Sequence, residues 1–173
     1  VFGEFSKKKK LIDSLSRIVT YCLKEEKIMM LSAILRNKPV SVISVTPETK
    51  ITEVVRVLAE KRIGAVLVID SQEKLVGILS ERDIVRTLAS HAADIFSMTA
   101  SQLMTHSPTV TKPEASVVDA MEIMTEGRFR HLPVMSNGKL VGLVSIGDVV
   151  KARIDQQAHE VDSLRAYVVG AVA

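Results

Sequence analysis

Two stretches of this chain repeat one another, and any fold assigned to it has to accommodate that repetition. Arg62-Ile63-Gly64-Ala65-Val66-Leu67-Val68 and Gly77-Ile78-Leu79-Ser80-Glu81-Arg82-Asp83 recur as Arg128-Phe129-Arg130-His131-Leu132-Pro133-Val134 and Gly142-Leu143-Val144-Ser145-Ile146-Gly147-Asp148. The offset is 66 residues in the first segment and 65 in the second, so the turn between them, Asp70 to Lys74 against Ser136 to Lys139, differs by one residue. Upstream, the offset of 66 also aligns Pro47-Glu48 with Pro113-Glu114, and Ile51, Val54, Val55 and Leu58 with Val117, Ala120, Met121 and Met124. Those apolar positions recur at i, i+3, i+4 and i+7, one face of a helix. The chain is a tandem duplication of a unit of about 60 residues.

Each copy reads as strand, helix, strand, strand, helix. A β-branched stretch, Val40 to Val45 or Thr109 to Thr111, leads through the Pro-Glu turn into the helix. Two apolar runs follow, Val66 to Ile69 with Leu75 to Leu79, and Leu132 to Met135 with Leu140 to Val144; Asn137-Gly138 between the second pair is a two-residue hairpin signal. The closing helices carry Ile84, Val85 and Leu88, or Val149, Val150 and Ile154, and the second is expected to run on through Val161, Leu164 and Val168 to about Gly170. A unit this small buries little surface alone, so the two copies are expected to pack their sheets together. The fold class is α+β (α/β). The boundaries read from sequence are a basic amphipathic helical segment over 1–30, a first repeat over 31–90, a connection over 91–102, a second repeat over 103–153 and a C-terminal helical extension over 154–173.

With 173 residues and 47% apolar content the chain can bury a good core. Its longest apolar run, Ile63 to Ile69, falls far short of the ~20 residues of a membrane-crossing helix, which argues against membrane association. Cys22 is the single cysteine, so an internal disulfide and a cysteine metal cluster are both out, and a cytoplasmic protein is expected. Lys7 to Lys10 resembles the start of a signal peptide, but Asp13 and Arg17 interrupt the apolar stretch that would follow, and no export is expected. The formal charge of +3 resides in residues 1–27, where seven Lys/Arg face four acids; the remaining 16 basic and 16 acidic residues cancel. Leu11, Leu15, Ile18 and Cys22 form an apolar stripe on a predicted helix in that segment.

The most informative local pattern is Gly, two apolar residues, Ser, two variable residues and Asp, at Gly77 to Asp83 and Gly142 to Asp148. It falls where a strand turns into a helix, whose first N–H groups and positive dipole end favour an anion such as phosphate. The Ser hydroxyl can donate to that anion, and the Asp carboxylate can accept from a vicinal diol such as ribose. Together these preferences describe a nucleotide. The same residues also make an ordinary capping box worth about 1 kcal/mol to the helix, and duplication copies structural caps too.

The duplicated strand-helix-strand-strand-helix unit, the run Arg130-His131-Leu132-Pro133-Val134 and the two Gly-x-x-Ser-x-x-Asp segments resemble a pair of CBS (cystathionine beta-synthase type) domains, over roughly Leu31 to Arg153. The resemblance implies a pseudo-twofold module that binds adenosine-containing ligands (AMP, ADP, ATP, NAD(H), S-adenosylmethionine) in clefts between the repeats, and modules that pair as disc-like homodimers. It further implies clefts that take Ser and Asp from one repeat and strand edges from the other. One site would join Ser80 and Asp83 to Thr109, Val110, Thr111, Phe129, Arg130, His131 and Pro133; the other would join Ser145 and Asp148 to Ile43, Ser44, Val45, Ile63, Gly64 and Ala65. Asp83 and Asp148 would hold ribose, and Ser80 and Ser145 phosphate. Arg130 and His131 can supply two N–H-bearing groups to a phosphate, with Lys112 adding charge, whereas Gly64 and Ala65 at the matching positions supply no side-chain donor, so the Asp83 cleft is expected to bind a phosphorylated ligand more tightly.

No catalytic constellation is apparent. Cys22 has no nearby His, neither a His-Glu-x-x-His nor a Walker-type loop occurs, and Ser80 and Ser145 read as caps rather than nucleophiles. His91, His106 and His159 lack metal-ligand spacing, so no metal is required, and Arg62 and Arg128 read as solvated helix-end residues. With no Trp and six Phe and Tyr, no nucleic-acid binding is expected beyond a weak, salt-dependent attraction to Lys7 to Lys10. The expected role is an energy- or redox-sensing module acting on an unidentified regulated protein. The alternative is a dimerisation or interaction scaffold with little nucleotide affinity.

Overall fold

The computed structural model describes residues 29–38 and 42–170, with side chains to Ala166. The predicted N-terminal helix around Leu11 to Cys22 lies outside these residues, as do Val40 and Ser41. Thirteen elements follow in order: α1 (Leu31–Arg36), β1 (Ser44–Val45), α2 (Ile51–Lys61), β2 (Ala65–Ile69), β3 (Leu75–Ser80), α3 (Glu81–His91), a 3-10 helix (Ala92–Ser97), α4 (Ala100–Leu103), β4 (Thr105–His106), α5 (Val117–Glu126), β5 (His131–Ser136), β6 (Lys139–Ser145) and α6 (Ile146–Gly170).

The duplication is visible at every level. Helices α2 and α5 put most of the predicted stripe inward, with Ile51, Val54 and Leu58 buried in one and Val117, Ala120 and Met124 in the other, while Met121 is half-buried and Val55, at the edge of its stripe, is exposed. Both stop the same way: the N–H of Ile63 donates to Leu58, and that of Phe129 to Met124. Those two helix-ending turns, each closed across five residues, hold Arg62 and Arg128 in the left-handed region, at φ 53° and 54°, where glycine would be less strained. At the β5–β6 hairpin, Asn137 and Gly138 take φ 50° and 76°, the pair of left-handed values that this tight turn requires.

Sheet order in the first copy is β1-β2-β3-β4, with β1 parallel to β2 and the other pairs antiparallel. In the second copy β5 and β6 pair alone, and the strand expected at Thr109 to Thr111 reduces to one parallel bridge from Thr111 to Val134. Pro108 has no N–H to give, and Thr109 and Val110 are exposed, so little burial offsets the ordering of a longer strand.

Each copy closes its own core: Ile51, Val54, Leu58, Val66, Val68 and Leu79 in the first, and Val117, Ala120, Met124, Leu132, Val134, Val144 and Val149 in the second. The crossings that join the copies come from the segment preceding each one, which packs into the other. Leu31 of α1 is buried in the second core, and Ala100 and Met104 are buried in the first. The crossings match: the Leu31 N–H donates to Ala115 at 2.9 Å, and that of Ala100 to Thr49 at 2.8 Å. They also explain the motif glycines. A Cβ on Gly142 would lie 2.5 Å from Leu35 Cδ2, and one on Gly77 would run into Met104, whose Cγ would be 2.8 Å away.

The helices that close the copies contribute less to these cores than their composition suggests. Ile84 packs against the first core and Val149 is buried in the second, but Val85, Leu88, Val150 and Ile154 are exposed. Helix α6 runs well past the second core, with Val161 and Leu164 also exposed.

Candidate functional site

The first Gly-x-x-Ser-x-x-Asp segment brings β3 into α3. Ser80 caps the helix, and Asp83 Oδ2 accepts from the Ser80 N–H at 2.9 Å and from its hydroxyl at 2.6 Å. The capping box is therefore formed, and it occupies one carboxylate oxygen. Oδ1 keeps its lone pairs for an incoming donor.

Beside this cap lies a cavity of about 230 Å³ shared by the two copies. Six of the residues expected there line it: Ser80 and Asp83 from the first copy, and Thr109, Phe129, Arg130 and His131 from the second. The others do not. Thr111 and Pro133 are buried and hydrogen-bonded to each other through their backbones, Val110 is exposed, and Lys112 is exposed and does not line the cavity. Three cationic residues join the wall beyond those foreseen: Arg82 and Arg86, one turn apart on α3, and Arg128. Arg82 is oriented by a bond of 2.7 Å from its Nη1 to the Arg128 carbonyl. Four arginines and one carboxylate thus line the same cavity, with Ile78, Pro108 and Phe129 as apolar wall. A Cβ on Gly127 would collide with the Phe129 ring, so the bare backbone there sets the ring's position.

The second segment has the same cap and a different occupant. Asp148 Oδ2 accepts from the Ser145 N–H at 2.7 Å and its hydroxyl at 2.6 Å, and also from Lys38 Nζ at 2.6 Å. Burial raises the Asp148 pKa, but the Lys38 and Ser145 hydrogen bonds and the Lys38 charge outweigh it and hold the carboxyl below its ordinary value. Around it, Ile43, Val45 and Ile63 pack against the first core, Ala65 is buried, Ser44 is exposed, and Gly64 faces His131.

His131 stands between the two arrangements. It lines the Asp83 cavity, yet a Cβ on Gly64 would sit 3.2 Å from its Cε1. Burial and the positive charges of Arg130 and Lys38 push its imidazole below the ordinary value, against the opposing pull of Glu81 and Asp148. It is therefore a neutral group at pH 7 that can donate one N–H. Among the described residues no three His, Cys, Asp or Glu side chains cluster to hold a metal, and no helix is long and apolar enough to cross a membrane.

A sequence profile for the CBS domain matches residues 32–90 and 100–155. The chain belongs to the CBS domain family. Its two CBS repeats share 39% identity with the CBS-domain protein ATU1752 of Agrobacterium tumefaciens, whose crystal structure superposes with a TM-score of 0.71 over 75% of this chain and 96% of that one. The mitochondrial CBS domain-containing protein CBSX3 of Arabidopsis thaliana is 38% identical over 112 residues, 62% of this chain and 54% of the relative. The chain thus spans about half the length of that curated relative. CBSX2, crystallised in complex with AMP, is 25% identical with a TM-score of 0.63, covering 73% of this chain and 97% of that one.

The tandem CBS fold read from the repeats is therefore the observed one. What sequence reasoning missed at the site is Arg82, Arg86, Arg128 and Lys38. The spacing of Arg82 and Arg86, four residues apart at the start of the post-motif helix, was an available signal that both share one face. For Lys38 none existed: its partner is 110 residues away.

Proposed function

We propose that this CBS pair is a non-catalytic regulatory module that binds an adenosine-containing nucleotide in the Asp83 cleft. The observation that carries the reading is the joint placement of Asp83 and the four arginines on one cavity between the repeats. Asp83 Oδ1 offers an acceptor for the ribose diol, while the arginines and the α3 N-terminus answer the phosphates. Ile78, Pro108 and Phe129 supply the apolar contact for a base. AMP, ADP, ATP and NAD(H) all fit that donor set, and the cationic wall favours ligands with more than one phosphate.

The reading extends to assembly and setting. Val85 and Ile154 are 64% and 59% exposed on the paired helices α3 and α6, together with Leu88 and Val150, and we propose a homodimer that covers them. The module would pass nucleotide occupancy to a regulated protein, in the cytoplasm as the single cysteine suggests. A second reading, a dimerisation scaffold with little nucleotide affinity, draws on the same exposed helix faces. Calorimetry with AMP, ADP, ATP and NADH on the wild type and Asp83→Ala separates the two. Saturable binding lost in the variant supports the sensor; no heat with any nucleotide, from a protein that is dimeric, supports the scaffold.

A further inference from the structure

Lys38 treats the two halves of this duplication differently. It follows α1, and its ammonium makes two bonds into the second copy: to Asp148 Oδ2 at 2.6 Å and to the Leu143 carbonyl at 3.0 Å. Lys38 and Asp148 side chains are 33% and 24% exposed, so the pair is shielded from full solvent screening. The crossing segments correspond at an offset of 69, since Leu35 packs on Gly142 as Met104 packs on Gly77. By that offset the counterpart of Lys38 is Ser107, exposed and too short to make such a contact. Asp83 accepts from Ser80 only among the described residues, and has no cation paired to it there.

We propose that Lys38 is a specificity-determining residue: a tethered occupant of the second cleft that turns a ribose diol away from Asp148 and leaves each chain with one nucleotide site. This rests on the nucleotide reading of the Asp83 cleft. Asp148 Oδ2 receives three donors where Asp83 Oδ2 receives two, and the additional one is a full positive charge that neutralises the carboxylate a diol would have to bind, although Oδ1 accepts from no described residue in either copy. A diol entering there either meets, at Oδ1, an acceptor weakened by the neighbouring ammonium or has to displace a charge-assisted bond at Oδ2 with neutral hydroxyls, and both favour the lysine. The depressed pKa of Asp148 agrees with a carboxylate already satisfied.

The test is calorimetric titration of AMP, and of ADP, ATP and NADH in turn, into the full chain as wild type, Lys38→Met and Lys38→Met/Asp148→Ala, with Lys38→Gln as a second opening variant. One site per chain is expected in the wild type, two in each opening variant, and one again in the double variant; the exposed second site should tighten by at least about tenfold, the equivalent of one charge-assisted contact. Two sites already in the wild type, or one site in both opening variants, would overturn the proposal while leaving the nucleotide reading intact. Loss of a second site on removing Lys38 would overturn it in the opposite sense, making the lysine a phosphate ligand. No binding of AMP, ADP, ATP or NADH by any variant overturns the nucleotide reading itself, and this inference with it. An independent readout is the acetylation rate of Lys38 by mass spectrometry against exposed Lys61. Slowed acetylation that recovers in Asp148→Asn is expected, and equal rates in wild type and Asp148→Asn would sink the ion pair.

Discussion

Alanine at Gly77 and at Gly142 should separate the two copies energetically, although both glycines open the same motif. An added methyl at Gly77 meets Met104 along its length: the sulfur is closest, Cγ would be 2.8 Å away and Cβ 3.1 Å. Met104 is itself buried in the first core, and its Cβ can move only with the backbone of α4. At Gly142 only one atom, Leu35 Cδ2 at 2.5 Å, is too close, and the next two lie at 3.6 Å, so rotation of one methyl relieves the contact. Overpacking in a tight core costs about 1–3 kcal/mol. Replacing glycine returns about 0.4–1 kcal/mol through the unfolded chain. The net is a loss of about 1–2 kcal/mol at Gly77, or roughly 2–8 °C in Tm for a chain of this size, and about 0–1 kcal/mol at Gly142. Urea unfolding followed by circular dichroism measures both, and a double-mutant cycle of Gly77→Ala with Met104→Ala assigns the cause. The methyl should fit harmlessly once Met104 is truncated, giving a coupling of at least about 1 kcal/mol. Equal losses at the two glycines, or a Gly77→Ala cost unchanged by Met104→Ala, would refute the packing explanation of the motif.

Three further outcomes follow from the site and the helix ends. Stability should fall with acid in two windows, because both shifted groups bind protons less readily when folded: His131 contributes above its unfolded value near 6.5 and loses that contribution as pH drops through its lower folded value, and Asp148 does the same from 3.8 downward. His131→Gln should flatten the first window and Asp148→Asn the second in pH-resolved urea titrations; unchanged profiles would contradict the assignments. Arg130→Ala should weaken nucleotide binding about 10- to 100-fold by removing a charge-assisted contact, while His131→Gln, which keeps an N–H, should change it less, and the reverse order in calorimetry would argue against the roles given. Arg62→Gly should be neutral or stabilising by up to about 1 kcal/mol because φ 53° suits glycine, and a marked loss in thermal unfolding would mean that the side chain makes a contact the backbone argument ignores.

Local patterns carried well from residues to structure. The stripe at Ile51, Val54 and Leu58, the Asn137-Gly138 turn and the two Ser-x-x-Asp caps all form as their spacing indicated, because each is decided by neighbours within a few residues. The exchange of α1 and α4 was illegible for two reasons. Its correspondence runs at an offset of 69 rather than 66, and a helix of six or four residues carries too little periodicity to point to a partner core. The site was half legible. Asp83, Ser80, Arg130 and His131 follow from the motif and the repeat, whereas Lys112 stays outside the cavity and Arg128, read as a solvated helix end, lines it because a left-handed turn swings the chain back over α3. Lys38 belongs to the same class of long-range contact: whether a lysine ends in water or on a carboxylate 110 residues away is settled by tertiary approach alone.

Isoleucine methyl NMR during a nucleotide titration tests the central claim most directly, since Ile78 lines the Asp83 cavity while Ile43 and Ile63 belong to the other set. Saturable shifts at Ile78 with ATP, abolished by Asp83→Ala and small at Ile43 and Ile63, are the predicted result. Shifts centred on Ile43 and Ile63, or none at saturating ATP, would contradict it.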